Sequence, residues 1–212
     1  MLVLDVSASM SGRKIDELNA GLQFFFEELR NEDLCRKRVD LAIVTFGKDV
    51  TLECDFATIE EQRIPFLKPV GTTSMGKAII LAADIIEKRK LEYRELGMDY
   101  YRPWIFLITD GEPTDMKEGD SLWEEVLSRI HNGEKEHKFL FWALGVDSAN
   151  MIILRSLSPP NRSPLLLKEA RFTDMFMWLS KSLTKISESS IGDQVILENP
   201  TSPDGWGSIP SG

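Results

Sequence analysis

The chain has 212 residues, 42% of them hydrophobic, which is enough to form one large domain with a buried core. Its formal net charge of −9 comes from acidic residues scattered along the chain, which argues against nucleic-acid or anionic-membrane binding because the phosphates would be repelled. The sequence shows no signal peptide, no apolar run near ~18 residues, and no zinc or redox motif around Cys35 and Cys54, so we predict a cytoplasmic protein with two reduced thiols.

The first predicted element is a buried strand that ends in oxygen-bearing side chains. Residues 2–4 are an apolar run typical of a parallel strand, and Asp5, Ser7 and Ser9 follow at a spacing of two. A loop can point these three side chains at one spot, and small hard oxygens suit Mg²⁺ or a similar cation. The same residues are also typical of an N-cap and turn, so this motif needs further ligands to indicate a metal site.

Helices and strands alternate along the rest of the chain. Apolar periodicity and turn residues predict, in chain order, a helix over 15–29, strands over 38–46 and 50–56, a helix over 78–86 with Ser74 as its candidate N-cap, a strand over 104–108, a helix over 122–130, a strand over 139–146, a short helix over 151–157, a strand over 165–167 and a final helix over 172–186. This order predicts an α/β fold, a doubly wound and mostly parallel six-stranded sheet with one antiparallel edge strand and helices on both faces.

The chain is predicted to divide into one domain over residues 1–190 and a C-terminal tail over 191–212. The tail is rich in Gly and Pro and is expected to lack regular secondary structure. Its apolar residues, among them Trp206, could still dock on the domain, so we do not predict a freely disordered segment.

A second buried strand also ends in polar residues, at Thr109 and Asp110. In a doubly wound sheet the first strand is central, and ligands bind outside the carboxyl ends of the strands where the strand order reverses. The ends of the strands at 2–4 and 104–108 are therefore predicted neighbours, and the 71–76 loop can reach the same place. The predicted metal ligands are Asp5, Ser7, Ser9, Thr73 and Asp110.

This set of oxygens predicts the chemistry of the site. Two carboxylates can offset the charge of a divalent cation, while neutral hydroxyls leave the ion electrophilic, so that it accepts an anionic ligand. We predict Mg²⁺ as the cofactor, with Mn²⁺ or Ca²⁺ as alternatives, and a protein partner that contributes an Asp or Glu to the metal.

Three neighbouring residues are candidates for the surroundings of the metal. Thr72 competes with Thr73 as the ligand, and the Thr-x-x-Gly spacing to Gly76 favours Thr73. Asp115 could accept a hydrogen bond from metal-bound water, and Glu112 could modulate the rim of the site. For both acidic residues, an ordinary solvated carboxylate on a loop is the favoured interpretation.

These motifs resemble those of von Willebrand factor type A domains. Asp5-Val6-Ser7-Ala8-Ser9 matches the DxSxS motif of the family's metal-ion-dependent adhesion site, Thr73 in GTTSMG its threonine, and Asp110 in ITDGEPTD its second aspartate. The stretches RPWIFLITDGEPTD and FMWLSKSLTKISES are similar in particular to the bacterial TerY-like subfamily, which is associated with tellurium resistance and stress response. The resemblance implies a cytoplasmic, metal-dependent protein-binding module that acts beside a kinase and phosphatase pair.

Two other classes of function stay open. Phosphatases of the haloacid-dehalogenase type also begin with a buried strand ending in Asp and use Mg²⁺, but they need a general acid two residues later, where this chain has Ser7. Neither His131 nor His137 lies near the serines in the pattern, so no nucleophile–base pair is evident and we predict that the chain is not an enzyme. The third hypothesis is a metal-free scaffold that contacts partners through its tail or last helix.

Overall fold

One sheet organises this computed structural model, which describes residues 1–191 and 193–209. Its seven strands among the described residues are β1 (Leu2–Asp5), β2 (Asp40–Phe46), β3 (Val50–Thr58), β4 (Trp104–Thr109), β5 (Leu140–Val146), β6 (Leu165–Leu167) and β7 (Gly207–Ser208). The strand order is β3-β2-β1-β4-β5-β6-β7. The five central strands β2, β1, β4, β5 and β6 are parallel. The edge strands β3 and β7 pair antiparallel with β2 and β6.

Helices cover both faces of the sheet, as predicted for a doubly wound fold. They are α1 (Arg13–Asn31), α2 (Asp33–Arg38), α3 (Met75–Glu95), α4 (Ser121–Lys135), α5 (Met151–Leu157) and α6 (Phe172–Glu188). On β1, Leu2 and Leu4 belong to the core under α1, α2 and α6, whereas Val3 belongs to the core under α3, α4 and α5. Within the described residues no helix combines the length and the apolar character that a membrane crossing requires.

The central position of β1 is what brings the two polar strand ends together. β1 pairs with β2 on one side, where Asp5 is opposite Phe46, and with β4 on the other, where Leu4 is opposite Ile108. The chain therefore reverses its strand order at β1 and β4, and the residues that follow these strands share one edge of the sheet. The predicted α/β fold and its switch point are confirmed.

Among the described residues the sheet has seven strands where six were predicted, and two antiparallel edge strands where one was predicted, because the tail contributes β7. The indole of Trp206 is buried and lies edge-on to that of Trp178, with ring centroids 5.6 Å apart. The Trp206 carbonyl accepts a hydrogen bond of 3.0 Å from the Lys168 amide, which starts the antiparallel pairing with β6. A two-residue strand is too short to produce a periodic signal in the sequence, so the composition of the tail indicated only irregular structure.

Removal of the Trp206 side chain is expected to destabilise the whole domain. The variant Trp206→Ala leaves a cavity beside Trp178 and should lower the free energy of unfolding by about 3 kcal/mol. Ile209 is half exposed in the same tail, so Ile209→Ala should change that free energy by less than about 0.5 kcal/mol. Urea denaturation of both variants measures the difference, and equal midpoints would show that the tail is not packed as described.

Candidate metal centre

The Asp5 carboxylate is the innermost oxygen donor of the site. It is fully buried at the end of β1. Its Oδ1 accepts a hydrogen bond from the Ser7 amide at 2.8 Å, which turns the chain back over the strand end, and its Oδ2 accepts one from Thr109 Oγ1 at 2.6 Å. Burial raises the pKa of Asp5, the nearby Asp110 carboxylate adds to that rise, and the bonds from Ser7 and Thr109 oppose it.

A chain of hydroxyl groups connects the end of β1 to the end of β4. Ser7 Oγ and Ser9 Oγ lie 2.9 Å apart, and Ser9 Oγ donates a hydrogen bond of 2.6 Å to Asp110 Oδ1. Asp110 is buried, although it lies in the loop directly after β4. The structure therefore brings together four of the five predicted ligands, Asp5, Ser7, Ser9 and Asp110.

Thr73 reaches the same place from the loop before α3. Its amide donates to Thr114 Oγ1 at 3.1 Å and its carbonyl accepts from the Thr114 amide at 2.9 Å, so its backbone is tied to the loop after β4. A methyl group added at Gly111 would lie 3.5 Å from Thr73 Oγ1 and 3.8 Å from Ser9 Oγ. The hydroxyls of Thr73 and Ser9 thus converge over Gly111, where the absence of a side chain leaves space between them.

The three candidate neighbours occupy other positions. Thr72 is exposed whereas Thr73 is buried, which agrees with the preference for Thr73 from spacing. Glu112 is exposed, and its Oε1 accepts a hydrogen bond of 2.7 Å from Asn150 Nδ2. Asp115 accepts hydrogen bonds from two amides in the first turn of α3, at residues 76 and 77, with lengths of 3.1 and 2.9 Å. Asp115 therefore caps this helix, and we assign it no contact with a metal ligand.

This arrangement also corrects the candidate N-cap. Ser74 occupies the N-cap position of α3, but its side chain makes no capping hydrogen bond. Its Oγ donates instead to the carbonyl of Lys48 at 3.0 Å, which fixes the loop to the end of β2. Asp115 supplies the capping oxygens from a distant part of the chain, so the capping residue could not be read from the local sequence.

Lys14 is a charged residue of the site that the sequence reasoning missed. It lies in the first turn of α1, and its ammonium group contacts Asp110 Oδ2 and lies 4.0 Å from Asp147 Oδ2. Both oxygens of Asp110 are consequently engaged, one by Ser9 and one by Lys14. The only local signal is that a cation in the first turn of a helix is unfavourable with respect to the helix dipole, which indicates a compensating anion nearby.

The donor set fits a small hard dication. Asp5 and Asp110 supply two carboxylates, and the hydroxyls of Ser7, Ser9 and Thr73 are neutral oxygen donors suited to Mg²⁺ or Mn²⁺. Over residues 1–191 and 193–209, no three His, Cys, Asp or Glu side chains form a group that could hold a metal ion. A cation at this position would thus depend on hydroxyl oxygens and water for its remaining ligands.

Sequence comparisons identify similar proteins. A family model described as von Willebrand factor type A domain matches residues 1–112. Inter-alpha-trypsin inhibitor heavy chain H3 of Rattus norvegicus is 27% identical over 163 residues, which are 75% of this chain and 18% of that protein. Inter-alpha-trypsin inhibitor heavy chain H6 of Homo sapiens is 23% identical over 171 residues, 76% of this chain and 12% of that protein. The chain therefore spans less than a fifth of the length of these relatives.

Solved structures share the fold. A von Willebrand factor type A protein from Catenulispora acidiphila superposes with a TM-score of 0.64 at 15% identity, covering 87% of this chain and 42% of that chain. Proximal thread matrix protein 1 from the mussel byssus gives a TM-score of 0.53 at 16% identity, covering 88% and 44%. The manganese-loaded TRAP protein of Plasmodium vivax gives 0.50 at 19% identity, covering 83% and 71%. At these identities the matches show the fold alone.

Removal of the Asp115 cap should destabilise the fold without displacing the residues of the site. Asp115→Ala leaves the two first-turn amides of α3 without their acceptors and should lower the free energy of unfolding by about 1 kcal/mol. Thr73 remains tied to Thr114, because its amide donates to the Thr114 hydroxyl and its carbonyl accepts from the Thr114 amide, so its position should not change. The exposed Glu118 provides the matched control, because Glu118→Ala removes a loop carboxylate that caps nothing. Thermal unfolding of both variants checks the difference.

Neutralising the innermost carboxylate should stabilise the protein in the absence of metal. In Asp5→Asn the amide oxygen can still accept from Ser7 and the amide nitrogen can donate to Thr109, while the charge whose burial raises the pKa of Asp5 is gone. We expect the free energy of unfolding at pH 7 in EDTA to rise by about 1 kcal/mol.

The matched variant Asp110→Asn should have the opposite effect. The carboxylate of Asp110 has an ammonium partner in Lys14, so its neutralisation should lower the free energy of unfolding by about 2 kcal/mol. Urea denaturation in EDTA measures both variants. A loss of stability in Asp5→Asn equal to that in Asp110→Asn would contradict the assignment of Asp5 as a buried charge that its hydrogen bonds compensate only in part.

Proposed function

Because the chain belongs to the von Willebrand factor type A domain family, we propose that it binds a protein partner through a divalent cation at the ends of β1 and β4. The observation that carries this proposal is the continuous set of contacts from Asp5 through Ser7 and Ser9 to Asp110, with Thr73 beside it. A domain of this family is typically a binding module and not an enzyme. The bound cation would supply an electrophilic centre for a carboxylate of the partner.

Each residue has a distinct part in holding the cation. Asp5 provides the most deeply buried negative charge, and Thr109 fixes the orientation of its carboxylate. Ser7 and Ser9 are held by the turn that Asp5 closes, and Thr73 approaches from the loop before α3. Asp110 provides the second charge at the end of β4. We propose that these residues leave one side of the ion facing solvent, where Ser9 is exposed.

We propose Mg²⁺ as the cation, with Mn²⁺ or Ca²⁺ as alternatives. The three hydroxyls and two carboxylates are all hard oxygen donors, which favours these ions over those that prefer sulfur or nitrogen. The TRAP protein, whose fold is similar, has been solved loaded with manganese, and this supports a divalent ion in the present chain.

The cellular setting remains a prediction from the sequence. The resemblance to TerY-like proteins supports a cytoplasmic role in stress response or tellurite resistance, beside a kinase and phosphatase pair. The matched heavy chains are several times longer than the shared region, so the partners of the whole protein are proposals too.

The geometry at Ser7 favours the binding module over the phosphatase hypothesis. A phosphatase of the haloacid-dehalogenase type needs a proton donor for the leaving group two residues after the nucleophilic aspartate. Here that residue is Ser7, whose hydroxyl contacts Ser9 Oγ. A serine hydroxyl is a poor acid at neutral pH, so this arrangement supports cation binding in preference to turnover.

Direct titration with metal tests the proposal. Calorimetry with MgCl₂ and MnCl₂ should show one site per chain, and Thr73→Val should weaken binding about tenfold or more because it replaces a hydroxyl donor by a methyl group of the same shape. Thr72→Val is the matched control, since it makes the same change at the exposed neighbour and should leave the affinity within twofold.

The outcomes separate the three hypotheses. Metal binding that depends on Thr73 but not on Thr72 supports the binding module. No heat with either metal in the wild type would favour the metal-free scaffold. Steady hydrolysis of p-nitrophenyl phosphate that is lost in Asp5→Asn would favour the phosphatase.

A further inference from the structure

Lys14 contacts Asp110, one of the two carboxylates that would bind a cation at the site. Its ammonium contacts Asp110 Oδ2, and its side chain is 21% exposed while that of Asp110 is fully buried. The preceding residue, Arg13, has a side chain that is 78% exposed and pairs with Glu17 on the outside of α1. Lys14 and Arg13 are adjacent in sequence but differ in their surroundings. The Lys14 ammonium compensates a buried carboxylate of the site, whereas the Arg13 guanidinium faces solvent.

The net charge of the site depends on Lys14. The carboxylates of Asp5 and Asp110 together with the ammonium of Lys14 leave one net negative charge. A divalent cation would change this to one net positive charge, which one carboxylate of a partner would neutralise. Without Lys14, the two carboxylates and the dication would already be neutral, and an added carboxylate would carry the total to a net negative charge.

Asp147 gives the ammonium a second partner. Its carboxylate lies 4.0 Å from Lys14 Nζ and is 44% exposed, so solvent screens much of its charge. Asp147 follows β5 directly and has a φ of +50°, a left-handed conformation that is uncommon outside glycine. If the ammonium leaves Asp110, it can turn to Asp147 without losing all compensation.

We propose that Lys14 is a built-in counter-cation of the site, which weakens the binding of a divalent ion alone and strengthens the binding of a carboxylate to the loaded site. This inference rests on the proposed function and names the residue that links its two steps. Lys14 competes with the ion for Asp110 while the site lacks a partner. It then remains close enough to attract the partner's carboxylate.

The first test compares Lys14→Met with Arg13→Met. Both variants remove one positive charge and keep a long apolar stem, but only the first removes the contact with Asp110. In calorimetric titrations with MnCl₂ alone, Lys14→Met should bind about tenfold more tightly than the wild type, whereas Arg13→Met should stay within about twofold. Thermal unfolding in EDTA gives a second readout, in which Lys14→Met should melt at a lower temperature because Asp110 loses its partner.

The second test measures the coupling to a carboxylate with acetate as the probe. The MnCl₂ titrations are repeated in sodium acetate and in sodium chloride of equal ionic strength. Acetate should increase the Mn²⁺ affinity of the wild type and of Arg13→Met by a larger factor than that of Lys14→Met. An equal factor in all three proteins would overturn the claim that Lys14 strengthens carboxylate binding.

The results distinguish this inference from the proposed function. Binding of Mn²⁺ by the wild type with an unchanged affinity in Lys14→Met would overturn the role of Lys14 and leave the proposed function intact. Binding by Lys14→Met alone would support a competing ammonium. The absence of binding in the wild type and both variants would overturn both proposals.

Discussion

The burial of the Asp5 carboxylate is the constraint on which the rest of the site depends. β1 is paired on both sides, so its last residue lies between two neighbouring strands and away from water. The Ser7 amide and the Thr109 hydroxyl compensate this charge in part, yet burial still raises the pKa of Asp5. A core position that would accept an apolar residue carries a charge instead. This is the usual sign that binding, and not stability, determines the residue type at that position.

The loops around Asp5 are anchored before any ligand arrives. The Ala8 amide donates to the Gly71 carbonyl at 3.0 Å, and the Val70 amide donates to the Val6 carbonyl at 2.6 Å. The DxSxS loop is thereby paired with the segment that leads to Thr73. Since these bonds are between backbone groups, they hold the loops in position whatever the side chains bind. Little conformational entropy would therefore be lost when an ion binds.

The sequence predicted the parts of the site that follow from topology and missed those that depend on packing. Asp5 and Asp110 could be placed together because alternating elements imply a switch point between two parallel strands. Lys14 could not be assigned, since helical periodicity places it on a polar face and cannot distinguish solvent from a carboxylate 96 residues away. The cap at Asp115 was hidden for the same reason, because its partners at 76 and 77 are distant in sequence.

Because the chain is negatively charged overall, the attraction of an acidic partner would depend on positive charges at the site itself. A protein with a formal net charge of −9 repels an acidic partner at long range, and salt screens that repulsion beyond about 8–10 Å. On the proposed function, the attraction would arise at short range, from a bound dication and from Lys14 beside it. Such an arrangement would give a specific contact without a general affinity for anions, because the positive potential would exist only while Asp5 and Asp110 hold an ion.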